Sequence, residues 1–167
     1  MGYKTGPLQS NHDRGNFDCG YDLLDNYLKK QASQDIKRNL SICFVLSDES
    51  DIVKGYYTLS NASIKRNLLP EAVTKRLPKS YNELPVTLLG RLAIDTTIKG
   101  NGFGELMLID ALKRAFDVSQ DIIGSIAVIV DPIDDKAKRF YLKYGFIDLP
   151  DCGKMFLPMK TIGQLFK

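Results

Sequence analysis

One histidine and three cysteines leave this chain little with which to hold a metal. Cys19, Cys43 and Cys152 are odd in number, widely spaced and form no C-x-x-C pair. That excludes a disulfide framework and a zinc site, and leaves each as a small packed residue. His12 lies in a polar, glycine-flanked segment with no second histidine to work with, and reads as a surface residue. No apolar run is long enough to span a bilayer, and no basic stretch followed by an apolar one stands at the N-terminus; the expectation is a cytoplasmic protein without a membrane partner. There is no internal repeat, no low-complexity tract and no linker long enough to divide the chain, so one domain is expected over residues 1–167. The net charge of only +3 means that any basic face is set against acidic surface elsewhere. What is present is the ordinary makeup of a globular protein, 44% apolar and 26% charged, at a length that buries a proper core.

Hydropathy patterning gives an order of elements. Asp18 or Gly20 begins a helix with the apolar stripe Leu23, Leu24, Tyr27 and Leu28. Ser41 to Leu46 and Val53 to Leu59 flank the acidic turn Asp48-Glu49-Ser50-Asp51 and read as a β-hairpin. Three prolines make Ile64 to Pro85 a loop with one short helix around Glu71 to Arg76. Then come a strand, Val86 to Ile94; a helix, Gly102 to Val118, burying Leu108, Ala111, Leu112 and Ala115 with an Asp110–Arg114 pair outside; and a strand from Ile122 to Val130. A helix from Asp134 to Tyr144 is stopped by Gly145, and Phe146 to Leu149 and Met155 to Met159 close the sheet. This order predicts an α/β (α+β) mixed sheet with helices on both faces.

Between the strand and the long helix stands Lys99-Gly100-Asn101-Gly102-Phe103-Gly104. Glycine permits a tight turn and close approach of a ligand, and a helix start offers unpaired amides with the positive end of the dipole. Strand, glycine loop and helix together suit a phosphate or pyrophosphate, or else form a tight loop before an ordinary helix. The P-loop pattern is excluded because Glu105 and Leu106 follow Gly104, and the dinucleotide fingerprint because its third glycine belongs one place later.

Lys99-x-x-Gly102-x-Gly104 resembles the Arg/Gln-x-x-Gly-x-Gly/Ala pyrophosphate loop of the GNAT superfamily of acyl-CoA-dependent N-acetyltransferases. Downstream, Asp134-x-x-Ala137-x-x-Phe140-Tyr141-x-x-Tyr144-Gly145-Phe146 resembles that family's Asn-x-x-Ala-x-x-Phe-Tyr-x-x-x-Gly-Phe, with aspartate for asparagine in the first place. A narrower resemblance covers nearly the whole chain. Phe17-Asp18-Cys19-Gly20 with Leu24, Tyr27 and Leu28, Gly55-Tyr56-Tyr57-Thr58-Leu59, Leu88-Leu89-Gly90-Arg91-Leu92-Ala93-Ile94-Asp95 and Phe156-Leu157-Pro158-Met159 are similar to the GNAT-type toxins of toxin–antitoxin pairs. Those enzymes acetylate the amino group of aminoacyl-tRNA. The resemblance implies a GNAT-like, mostly antiparallel twisted sheet, acetyl-CoA as cofactor with no metal, aminoacyl-tRNA as acceptor, an antitoxin partner and a homodimer. It leaves two alternatives: the same chemistry on a protein or small-molecule amine, and a non-catalytic acyl-CoA-binding module.

The chemistry then needs a held donor, an uncharged amine and a proton for the departing thiolate. The resemblance assigns the donor to backbone amides from Gly100 through Asn101, Gly102, Phe103 and Gly104, with Lys99 at the edge, Leu92, Ala93 and Ile94 along the pantetheine arm, and Phe140 beside them. Tyr141 matches the family's proton donor, and Tyr144 is its rival. No acidic residue stands out as a base, though Asp95 and Glu83 stay open. That favours an α-amine of pKa near ~8 over a lysine near ~10.4. Lys65, Arg66, Lys75, Arg76 and Lys79 form one basic cluster and Lys29, Lys30, Lys37 and Arg38 another. They fit an RNA backbone or a solvated surface. Lys29, Lys30, Lys75, Arg76 and Arg91 are the acceptor-side candidates, Arg91 either pairing with a buried carboxylate or facing the acceptor.

Overall fold

Asp48 turns the hairpin. Its carboxylate accepts the amides of Ser50 and Ile52 while Asp51 takes φ 61°, which brings β2 (Ile42–Ser47) back against β3 (Val53–Lys65). These strands pair antiparallel from Ile42↔Leu59 to Ser47↔Val53, with a register shift at Leu46/Ser47. A computed structural model describes residues 2–167. It adds a strand that no hydrophobic pattern announces: β1 (Lys4–Pro7) lines the outer edge of β2. The seven strands hydrogen-bond in the order β1-β2-β3-β4-β5-β7-β6, with β4 Glu83–Ile94, β5 Ala127–Val130, β6 Ile147–Leu149 and β7 Lys154–Pro158.

The chain packs as two compact units, residues 2–60 with Leu89–Ala111, and Asn61–Leu88 with Leu112–Lys167. Strands β3 and β4 and helix α4 (Phe103–Asp121) pass from one to the other. In the first unit, α1 (Asp22–Asn26), a π-helical turn (Tyr27–Gln31) and α2 (Ala32–Lys37) run on continuously. Consecutive residues of β3 point to opposite faces. The Tyr56 hydroxyl donates to the Leu24 carbonyl of α1 at 2.7 Å, and the Tyr57 hydroxyl donates to Asp110 of α4 at 2.6 Å. Helices therefore cover both faces, as expected. The core on the α1 side joins Phe17, Cys19, Tyr27, Leu28, Ala32, Cys43, Val45, Val53, Tyr56 and Ala93.

Three expectations for this unit need correction. Leu23 is 72% exposed rather than part of the stripe. The helix starts at Asp22, because Asp18 is spent on the Gly20 amide and Gly20 takes φ +92°. Asp110 does not lie on an outer surface; half-buried, it accepts from Tyr57 and from the Thr5 hydroxyl at 3.2 Å.

The second unit has its own core of Ile64, Leu69, Leu84, Val86, Ala127, Ile129, Leu149 and Phe156. Strand β5 is buried throughout and pairs antiparallel with β7, which pairs with β6. The expected strand from Ile122 is too long. Helix α4 continues to Asp121, the amides of Ile122 and Ile123 both reach the Val118 carbonyl, and these isoleucines are exposed. Strand β3 instead runs further than expected, to Lys65, and β4 begins earlier, at Glu83. The proline-containing segment between them holds α3 (Glu71–Thr74) and wraps around Arg66, whose guanidinium donates to the carbonyls of Thr74, Leu77, Pro78 and Tyr81. Helix α5 (Asp135–Lys143) follows β5, and α6 (Met159–Leu165) follows β7 in a stretch without periodic signal. Among the described residues, no helix is long and apolar enough to cross a membrane.

Candidate active site

Helix α4 opens directly from the glycine loop. Its first loop-spanning bond runs from the Leu106 amide to the Gly102 carbonyl at 3.1 Å, so the amides of Phe103, Gly104 and Glu105 precede the intrahelical ladder. Gly100 and Gly102 both take φ +83°, a left-handed backbone that a side chain strains. A Cβ built at either would meet nothing within 4 Å, so the loop faces open space. A left-handed turn facing open space at a helix start suits a diphosphate.

The side chains of this loop mostly serve the loop itself. Asp95 is buried and caps the 3-10 turn Thr96–Ile98, accepting the Thr97 amide at 2.9 Å and hydroxyl at 2.7 Å and the Asp18 amide at 3.0 Å. Burial opposes its ionisation, but the bonds from Thr97 and Asp18 outweigh that and hold its carboxyl below the usual range. It is a brace, and a poor general base. The Asn101 amide group donates to the carbonyls of Ile98 and Lys99. Phe103 packs edge-on against Tyr3, centroids 5.0 Å apart. The Lys99 ammonium donates to the Cys19 carbonyl and lies 5.7 Å from the Tyr21 ring centroid. What these residues offer a ligand is main chain. Leu92 is half-buried at the end of β4, with Ala93 and Ile94 buried behind it.

In the second unit, α5 explains the physical sense of the Phe-Tyr…Tyr-Gly-Phe spacing. Asp134 caps the helix by accepting the Ala137 amide at 2.8 Å, a role aspartate fills as well as asparagine. At the other end Gly145, at φ +92°, lets the Phe146 amide reach the Tyr141 carbonyl and the Gly145 amide reach the Leu142 carbonyl. This is a Schellman ending, and it folds the Phe146 ring against Tyr141 at 5.1 Å. The half-buried Phe140 closes the other side at 5.3 Å and also meets Tyr144 at 5.0 Å. Tyr141 is buried to 8% exposure, and its hydroxyl has no protein partner among the described residues, yet it is not a sealed orphan. Burial pushes its phenol up, so it stays protonated and keeps an O–H to donate. Replacing Gly145 by alanine is expected to cost about 1–2 kcal/mol by forcing a left-handed Cβ, read as a lower Tm. Activity should fall with it, because the clamp on Tyr141 loosens.

The acceptor-side candidates divide. Lys29 and Lys30 stand exposed on the π-helical turn, and Lys75 and Arg76 stand exposed after α3; none has an ion partner among the described residues. Arg66 is committed to carbonyls and leaves the cluster of Lys65, Lys75, Arg76 and Lys79. Its cavity of about 670 Å³ is also lined by Glu71 and Glu83, so that ground is of mixed charge. Glu83 is exposed, accepts from Ser63 at 3.2 Å, and does not stand out as a base. Arg91 pairs with no carboxylate among the described residues; its guanidinium lies over the Tyr27 ring. Cys19 and Cys43 are buried free thiols, pushed up by burial to about 11 and about 12. They are inert packing residues. No group of histidine, cysteine and carboxylate suited to a metal occurs among the described residues.

The open glycine loop before α4 and the clamped Tyr141 of α5 are the features that the resemblance to N-acetyltransferases leads one to expect. No family model matches the chain. Relatives do. A probable toxin TacT of Sinorhizobium fredii is 33% identical over 169 residues, covering 95% of this chain and 92% of that protein. A tRNA-acetylating toxin of Mycobacterium tuberculosis is 34% identical over 134 residues, covering 80% and 78%. Among solved structures, a tyrosine mutant of KacT superposes with a TM-score of 0.91 at 30% identity, over 99% of each chain. AtaT complexed with acetyl-methionyl-tRNAfMet gives 0.91 at 28% identity, over 99% of this chain and 100% of that one. A tyrosine-to-phenylalanine AtaT bound to the C-terminus of its antitoxin AtaR and to acetyl-CoA gives 0.85 at 26%, over 99% and 98%. The chain belongs to the GNAT-type toxins, the acetyltransferases of toxin–antitoxin pairs.

Proposed function

We propose that this protein transfers an acetyl group from acetyl-CoA to the α-amino group of an aminoacyl-tRNA, blocking translation until an antitoxin neutralises it. The likeness to AtaT with acetyl-methionyl-tRNAfMet bound, over essentially the whole chain, carries this reading. An antitoxin partner and acetyl-CoA are supported by the AtaT complex with both. A cytoplasmic location follows from the substrate.

Acetyl-CoA supplies the acyl thioester. The main-chain amides of Gly100, Asn101, Gly102, Phe103 and Gly104 would hold its diphosphate and the end of β4 at Leu92, Ala93 and Ile94 would line its arm, with Phe140 a further apolar residue assigned to it by the resemblance. Lys99 releases the Cys19 carbonyl or stays on it, in either case adding positive charge at the loop's edge. Tyr141 gives its proton to the leaving sulfur. Burial keeps that phenol protonated throughout the physiological range, so the proton is in place before the thiolate develops. Both KacT and AtaT were solved as tyrosine mutants, which supports a tyrosine in this role.

With Asp95 held below the usual carboxylate range and tied up in its turn, no carboxylate is set to deprotonate a lysine. An aminoacyl ester needs none, because its amine is less basic than a free α-amino group near ~8. The pH profile follows. The rate should climb as the amine loses its proton, level off near or below about pH 8, and show no alkaline fall before about pH 10 because Tyr141 stays neutral. A descending limb near neutrality would contradict this.

The deciding experiment offers charged tRNA, a lysine-containing peptide and spermidine together in one reaction with acetyl-CoA, followed by intact-mass analysis of each. Acetyl should appear on the aminoacyl group; acetyl on the peptide or polyamine instead would overturn the reading.

A further inference from the structure

We propose that Arg91 grips the backbone phosphate nearest the aminoacyl end of the RNA acceptor, using the Tyr27 ring as its platform; this rests on the acetyl-tRNA reading above. The Arg91 guanidinium carbon lies 3.6 Å from the Tyr27 ring centroid. Tyr56 lies nearly parallel to that ring, with centroids 6.2 Å and planes 12° apart, and Phe17 meets Tyr56 edge-on at 5.6 Å. The stack is anchored at its rims. The Tyr27 hydroxyl donates to Asp35 at 2.7 Å and sits 3.2 Å from the Ser41 hydroxyl, while the Tyr56 hydroxyl is fixed on the Leu24 carbonyl.

A guanidinium centred over an aromatic face can still present an N–H edge to a planar or tetrahedral anion. Arg91 is half-buried, yet that edge meets no carboxylate and no carbonyl among the described residues. The nearby acids are otherwise employed: Asp35 by Tyr27, and buried Asp25 by the Cys19 amide at 2.9 Å. The turn that supplies the platform also presents Lys29 and Lys30 outward, both exposed and without ion partners. A π-helical turn is rare and recurs at functional sites. Here it carries a ring inward and two cations outward within five residues.

Position selects the anion. Arg91 precedes Leu92, Ala93 and Ile94, the strand segment that lines the donor's arm, and shares a strand face with Ala93. An anion on Arg91 is therefore within a few residues' rise, at about 3.3 Å each, of that segment. The donor's own diphosphate is claimed by the loop beyond the strand's end. In an aminoacyl-tRNA the nearest phosphodiester is one ribose and one ester from the amine. A polyamine or a lysine side chain carries no such anion and would be repelled by the three cations. Arg91 thus makes the site selective for an acceptor on a nucleic-acid end.

The test compares kcat/KM on aminoacyl-tRNA with that on the same amino acid esterified to plain adenosine, which lacks any phosphate. R91A should lower the tRNA value roughly 10- to 100-fold more than the adenosine-ester value, the worth of a charge-assisted hydrogen bond. R91K, which keeps the charge but not the flat fork, should fall between, and Tm of both variants separates packing loss from recognition. Binding of uncharged tRNA, read by filter retention, should weaken in R91A by a similar factor. Equal losses on both acceptors, or none on either, would overturn the proposal. A wild-type protein that acetylates neither acceptor but loses tRNA binding on R91A would sink the acetylation reading and keep the phosphate grip. If neither acetylation nor Arg91-dependent binding occurs, both fall.

Discussion

Tyr141→Phe is expected to lower kcat about a hundred- to ten-thousand-fold while leaving acetyl-CoA affinity and thermal stability nearly unchanged. The ring is held by Phe146 and Phe140 through edge contacts that phenylalanine reproduces. The hydroxyl has no protein partner among the described residues, so removing it breaks no folding interaction. Its stability effect should stay within about 0.5 kcal/mol. Tyr56 is the contrasting case. Its hydroxyl is bonded at 2.7 Å to the Leu24 carbonyl, and Tyr56→Phe should cost about 1–2 kcal/mol. Steady-state kinetics on charged tRNA and a melting curve read the pair. Unchanged turnover in Tyr141→Phe would remove this residue from the mechanism, and a large fall in Tm would make its hydroxyl structural instead.

Gly102→Ala should raise the dissociation constant for acetyl-CoA about ten-fold or more, measured by calorimetric titration. At φ +83° an alanine Cβ carries about 1–2 kcal/mol of strain. The loop has two ways to respond. It keeps the turn and the Cβ stands in the open space proposed for the diphosphate, or it relaxes and turns the amides away. Either response weakens binding of an anion that depends on main-chain donors. Because the loop is exposed at Gly100, Asn101 and Gly102, relaxation should keep the loss of folding stability smaller than the loss of affinity. Unchanged affinity would release the loop from its assigned role.

Local chemistry made parts of this architecture readable. The Asp48 turn, the glycine loop before a long amphipathic helix, the Asp134 cap and the Gly145 stop each depend on neighbours within a few residues, and the structure has all four. The elements that escaped detection lack such signals. Strand β1 is a short edge built on Lys-Thr-Gly-Pro, which carries no alternation, and α6 is too brief for a helical period to emerge. The run from Ile122 is apolar yet divided between a helix end, an exposed turn and a strand, which composition alone merges.

The candidate site divides along the same line. Glycine positions and the tyrosine clamp are local features. Which cations remain free is not, because long side chains settle their partners in three dimensions. Lys99 finds a carbonyl 80 residues away and Arg66 closes a loop around itself. Arg91 finds an aromatic face instead of a carboxylate. Asp95 was open as a base in sequence and closed by its bonds to Thr97 and Asp18.

The central claim joins two places: main-chain amides that hold a diphosphate, and a tyrosine hydroxyl that serves the sulfur. A crystal structure of the protein with coenzyme A tests it most directly. The account predicts the diphosphate on the amides of Gly100 to Gly104 and the thiol within hydrogen-bonding reach of the Tyr141 hydroxyl. Coenzyme A seated elsewhere, or on that loop with its sulfur directed away from Tyr141, would contradict it.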